Sequence, residues 1–292
     1  MRSVQRGFTL VEAVIVIAII GIIGAIVAVF IRLPVQNYAD SVARAEVSDE
    51  ADLALRRMAR ELRMALPNSL RVTSDGSAIE FLLTKTGGRY LALEDQLAST
   101  FPILDFGDST RTNVTLLGTL SEPIATTDFF VVNNLGEGMT PADAWGLATA
   151  DRNIARVRTA LPRNAIRPVL ELVNNPFAAQ SPSMPSPDHR YQIVSGPVTY
   201  ACARASDNAL VLTRYAGYGI NVGQVNPPVG AGSVAPLSRR VNNCAGIFTL
   251  DTAAQRSALV NITLALAARS VDGAAAVSSI RLVHQVHVDN TP

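Results

Sequence analysis

The chain has 292 residues, 48% of them hydrophobic, which is enough for a membrane anchor and one sizeable folded domain. Its 25 basic residues against 24 acidic ones leave a formal charge of +1, too small a field to gather nucleic acid or an acidic substrate. With 5% aromatic and 17% charged residues, and Gly, Pro, Ser, Thr and Ala plentiful, the balance suits an exported β-rich domain better than a cytosolic enzyme.

The first element is an uncharged run from Ala13 to Ile31, AVIVIAIIGIIGAIVAVFI, about 19 residues long and sufficient to cross a bilayer core as a helix. It is too long for the apolar part of a secretory signal and is followed by Arg32-Leu33-Pro34, not by a small-x-small cleavage site. Arg2 and Arg6 precede it, so the positive-inside rule puts the N-terminus in the cytoplasm and everything past Arg32 across the membrane. Within the run, Gly21 with Ala25 and Gly24 with Ala28 form small-xxx-small pairs that would admit another helix, a pattern also common in any membrane helix. Glu12 does not suit a plain anchor, because a carboxylate at the hydrocarbon edge costs about 2 to 3 kcal/mol if it ends up deep. A cut before Phe8 would supply a partner, since the new α-amino group would be cationic and four residues from Glu12.

Gly7-Phe8-Thr9-Leu10-Val11-Glu12, with the apolar run directly behind it, resembles the class III signal of type IV prepilins and type II secretion pseudopilins. The resemblance implies a leader of residues 1–7, cleavage between Gly7 and Phe8 by a prepilin peptidase, N-methylation of Phe8, and Glu12 as the acid that recruits and registers subunits during assembly. Packing of Gly21, Gly24, Ala25 and Ala28 in a fibre core would follow. The implied fold is α+β, type IV pilin-like, with a long N-terminal helix packed on an antiparallel β-rich head.

After Pro34, which could kink the helix, the apolar positions Val35, Tyr38, Val42, Ala45, Leu55, Met58, Leu62 and Leu66 recur every three or four residues. Arg56, Arg57, Arg60, Glu61 and Arg63 fall on other faces and read as solvated. The helix is expected over 8–66, its membrane part over 8–31, ending at Pro67-Asn68, with the head at 67–292. From Leu70 the period becomes two: a strand at 70–73, a turn at Asp75-Gly76, a strand at 79–83, and another at 89–91 beyond Gly87-Gly88. Further strands are expected at 129–133, 169–173, 191–194, 198–202, 209–215, 260–266 and 280–288, a short helix within 143–161, and a proline-rich surface loop at 176–187.

The two cysteines, Cys202 and Cys244, have no ligand set around them. In an exported domain they would form a disulfide, closing a loop of about 40 residues worth roughly 3 to 4 kcal/mol in the chain-entropy model; in the cytosol they would be buried thiols. His284 and His287, three apart on a strand, point to opposite faces and do not make a metal site. Gly217, Gly219 and Gly223 miss the GxGxxG spacing, and Asp105 with Asp108 lacks a third carboxylate for calcium. No catalytic site, cofactor or metal is assigned.

The stretches RRMARELRMALPNSLRV (56–72), GGRY (87–90), LTRYAGYGI (212–220) and HQVHVDNTP (284–292) resemble the larger minor pilins and J-type minor pseudopilins, and most closely the MshO-type minor pilins of MSHA pili. The resemblance implies a structural subunit of the inner membrane with a periplasmic head, later placed in the fibre near its tip, where it initiates or caps assembly. Its implied partners are the prepilin peptidase, other minor and major pilins and the pilus assembly platform, with no nucleic acid. A J-type pseudopilin is the alternative.

Overall fold

A computed structural model of the chain describes residues 7, 9–98, 100–147, 152–254, 257–269 and 276–291. They form one long helix, α1 (Leu10–Leu62), and twelve strands. By proximity the chain divides into two units, residues 1–49 with 267–280, and residues 50–266 with 281–292. The second unit holds the core.

The helix runs without interruption through Pro34. Its last turns carry the expected stripe: Ala51, Leu55, Met58 and Leu62 are buried, and Leu66 just beyond the helix is buried too. Arg56, Arg57, Arg60 and Arg63 stay exposed as expected, but Glu61 does not. Its carboxylate accepts from the Tyr200 hydroxyl and from Arg214 Nε, each at 2.8 Å, and fixes the helix to the sheet. An acid at the edge of the helical stripe is indistinguishable in the sequence from a solvated one until its partners, over 130 residues away, are known.

The sheet grows around two long antiparallel strands, β2 (Ala78–Tyr90) and β7 (Arg190–Arg204), paired from Ala78 opposite Ala201 to Arg89 opposite Arg190. The two expected strands 79–83 and 89–91 are thus one, running through Gly87-Gly88. Side chains there would collide with the facing strand, since a Cβ on Gly87 would stand 3.0 Å from the Tyr191 carbonyl oxygen. Strands 191–194 and 198–202 likewise merge in β7. Gly196, with φ +122°, breaks the regular course of β7, so one edge pairs first with β4 (Phe129–Val131) and then with β8 (Leu210–Ala216).

Strand β1 (Arg71–Val72) returns on β2 through the Asp75-Gly76 turn, and a Cβ on Gly76 (φ +68°) would meet the Phe248 carbonyl at 2.7 Å. Beyond them, β3 (Asn113–Leu117), β5 (Ile154–Arg156) and β6 (Val169–Glu171) complete the path β5-β4-β7-β2-β3-β6. That path closes on itself. Arg158 N–H donates to the Glu171 carbonyl at 2.8 Å and Val173 N–H to the Arg156 carbonyl at 2.9 Å, so β6 meets the chain leaving β5 and no long edge is left between them. Inside the ring, Val114, Leu116, Phe130, Ala155, Leu170, Phe177 and Ile193 form a continuous apolar core.

Two expectations fail here. The segment 143–161 has no helix among its described residues: Asp143 Oδ1 accepts the Trp145 N–H at 2.9 Å and holds a turn, while Ile154–Arg156 is drawn into the sheet by β4. The proline-rich stretch after Pro176 is not only surface, because a 3-10 turn at Pro176–Ala179 inserts Phe177 edge-on to Phe130 at 5.8 Å. Strand β9 (Ser233–Ser238) extends the sheet from β8. A second, three-stranded sheet has the order β10 (Phe248–Ala254), β11 (Ser257–Arg269), β12 (Ala276–Asp289). The fold is α+β: an apolar N-terminal helix, its amphipathic continuation, and a large antiparallel head.

Candidate functional site

The N-terminal motif begins the helix. Thr9 precedes its first residue, Leu10, and the Thr9 hydroxyl accepts the Glu12 backbone N–H at 3.3 Å, while the Thr9 carbonyl accepts from Ala13 at 3.2 Å. Thr9 is therefore an N-cap with Glu12 at the third helical position, the spacing of a capping box. A carboxylate there also faces the positive end of the helix dipole. Gly7 is exposed, and Phe8 lies outside the described residues.

From Leu10 to Ala28 the helix is apolar, 19 residues long and unburied by the other described residues. That length spans a bilayer core. Gly21, Ala25 and Ala28 follow one another at helical spacing, as do Gly24 and Ala28, and the space beside both glycines is open: a Cβ added at either would have no neighbouring atom within 4 Å. A backbone could approach closely at these positions.

In the head, Cys202 on β7 and Cys244, after β9, are joined with an S–S distance of 2.00 Å. Several buried charged groups of the head have structural partners. Arg71 and Glu80 stand opposite each other on β1 and β2 and pair at 2.7 Å, both nearly inaccessible. The Arg71 guanidinium also donates to the carbonyls of Val222 (2.7 Å) and Asn221 (3.0 Å) and lies 3.7 Å from the centre of the Trp145 ring. Tyr218 donates to the second Glu80 oxygen at 2.8 Å. Burial, then the Glu80 carboxylate, drives the Tyr218 phenol well above its ordinary range; burial, then Glu61, does the same to Tyr200. Burial alone would depress Arg214, but its bond to Glu61 more than offsets this and raises it.

None of these clusters places a nucleophile beside a base. His284 is half-buried and His287 exposed on β12. Asp105 and Asp108 lean on Arg111 at 3.6 and 3.5 Å, and Gly217, Gly219 and Gly223 lie in the loop between β8 and β9. Among the described residues no group of three or more His, Cys, Asp or Glu side chains is placed to hold a metal ion. What sequence reading missed is the inward role of Arg71, Glu80 and Glu61; the opposition of Arg71 and Glu80 across the Asp75-Gly76 hairpin was the available signal.

Residues 2–28 match the family model described as the prokaryotic N-terminal methylation motif. No curated protein and no solved structure matches the chain. The methylation motif, the apolar helix it opens and the antiparallel head behind it together support a type IV pilin-like protein.

Proposed function

We propose that this chain is a minor pilin, a structural subunit that initiates or caps a type IV pilus, of the MSHA kind and MshO type. The observation that carries the reading is the methylation motif over residues 2–28, continuous with an apolar helix whose 19 residues have no covering among the described residues. In this reading residues 1–7 are the leader, cleavage falls between Gly7 and Phe8, and Phe8 is N-methylated. The N-terminal arm, expected as a helix over 8–66 and helical over Leu10–Leu62, anchors through 8–31, and 67–292 is the periplasmic head. The α-amino group on Phe8 of one subunit pairs with Glu12 of another, and Gly21, Gly24, Ala25 and Ala28 let neighbouring helices pack. Its partners are the prepilin peptidase, other minor and major pilins and the assembly platform.

Size favours a minor role. A head spanning 67–292 is more easily placed at a fibre end than in every layer. The oxidising compartment suits the Cys202–Cys244 bond. The same motif serves J-type pseudopilins of type II secretion, so the test compares outputs. In a strain lacking this chain, a minor pilin predicts few or no surface fibres by electron microscopy, restored by the wild-type gene and not by Gly7→Ala. Normal fibres with lost exoprotein secretion would replace this reading by the pseudopilin one.

A further inference from the structure

A cavity of about 470 Å³ opens in the head beside the end of β2. Its apolar walls are Tyr90, Leu104, Phe106 and Pro187, and its polar lining includes Glu94, Asp105 and His189. Its volume lies in the range of small-ligand sites. The site is held in a set shape. His189 adopts φ +53°, a conformation non-glycine residues seldom take, and is fixed by its N–H donating to Ser186 O (3.0 Å) and its carbonyl accepting from Tyr90 (2.8 Å). Its ring rests on Tyr90 with centroids 5.7 Å apart.

The charges are one-sided. Among the described residues two carboxylates line the cavity and no lysine or arginine does. Asp105 is partly engaged, with Oδ1 accepting the Gly107 N–H at 2.8 Å and Oδ2 3.6 Å from Arg111, which stands outside the lining. Among the described residues Glu94 has His189 as its ion-pair partner, 3.7 Å away, a charged pair only when the imidazole is protonated. Burial pushes the Tyr90 phenol up to about 12, with the Ser186 backbone opposing, so Tyr90 brings no negative charge at neutral pH and serves as an aromatic wall. An acidic, aromatic-walled cavity favours a cation whose stem is apolar. The chain's single lysine, Lys85, is already bound to Asp128 at 2.9 Å.

We propose that this cavity binds an organic monocation on a short aliphatic stem, the chemistry of an arginine or lysine side chain. The stem lies against Leu104, Phe106 and Pro187, and the cationic head sits between Glu94 and Asp105. The source is a basic side chain of a neighbouring protein or a free small cation.

The test is calorimetric titration of the full chain in detergent at pH 8 with N-acetyl-arginine methylamide, against the citrulline compound, which keeps the shape and lacks the charge. The arginine compound is expected to bind about tenfold more tightly, and the difference to shrink below about twofold in Glu94→Gln. The Glu94 side chain is 76% exposed, so the variant is expected to melt at the wild-type temperature. A pentapeptide with one central arginine binding as well as the methylamide assigns the source to a protein side chain, and markedly weaker peptide binding to a free cation; both outcomes support the site. Equal binding of the arginine and citrulline compounds, no binding of either, or an unchanged preference in Glu94→Gln would overturn it.

Discussion

Arg71 and Glu80 show how much of the head depends on single charged residues facing inward. The guanidinium joins β1, β2, the loop at 221–222 and Trp145, and its removal leaves the buried Glu80 carboxylate without its cationic partner, with Tyr218 still donating to it. Arg71→Ala is therefore expected to cost about 3 to 5 kcal/mol in urea unfolding, and adding Glu80→Gln to recover part of that loss. A double variant no more stable than the single one would mean that the cost lies in the loop contacts. The buried tyrosines make a separate prediction. Raised phenol values mean that the folded chain keeps protons which the unfolded chain releases near the ordinary value of 10.0. Stability is complete below pH 10 and falls as pH rises toward the folded values, about 12 for Tyr90 and Tyr191, by about 1.4 kcal/mol per pH unit for each tyrosine involved. Melting followed from pH 8 to 12, with phenolate absorbance recorded alongside, should show the ionisation of these four arriving with unfolding. At this scale the N-terminal motif was fully visible in the sequence because it is linear and local. The inward roles of Glu61, Arg71 and Glu80 were not, because their partners lie far along the chain or depend on a hairpin register.

The long strands set the architecture, and glycines decide how they pair. Gly87 and Gly88 read as a break between two strands, yet they lie inside β2 and face β7 so closely that a Cβ on Gly87 would stand 3.0 Å from the Tyr191 carbonyl oxygen. Gly87→Val is expected to destabilise the head by about 1 to 3 kcal/mol, since the new Cβ would meet backbone and not a movable side chain. Gly219→Ala, with nothing within 4 Å, serves as the control and should stay within about 0.5 kcal/mol of wild type. Thermal melts of the pair measure the difference, and equal effects would remove the close approach as the reason for glycine. Periodicity found the strands with alternating apolar residues and the amphipathic turns of α1. It missed β5, which lies in the stretch 143–161 read as helical, β9, because Pro236 reads as a breaker although an outer strand tolerates it, and β10 (Phe248–Ala254). Nothing in Pro176–Pro187 besides Phe177 signals that the stretch enters the core.

At the scale of the whole molecule, the chain combines an apolar helix, uncovered among the described residues, with a head whose strands close into a ring. The helix of 19 apolar residues fits a membrane anchor. The head builds its core without it, from Phe130, Tyr191, Leu116, Leu170 and their neighbours. In the proposed maturation route the two travel together, and the new amine on Phe8 would offer Glu12 a partner. Mass spectrometry of the N-terminal peptide, from protein made in its own cells with active prepilin peptidase, tests this most directly. The account predicts an N-terminal peptide beginning at N-methylated Phe8; an intact leader beginning at Met1, or a cut after the apolar run, would contradict it.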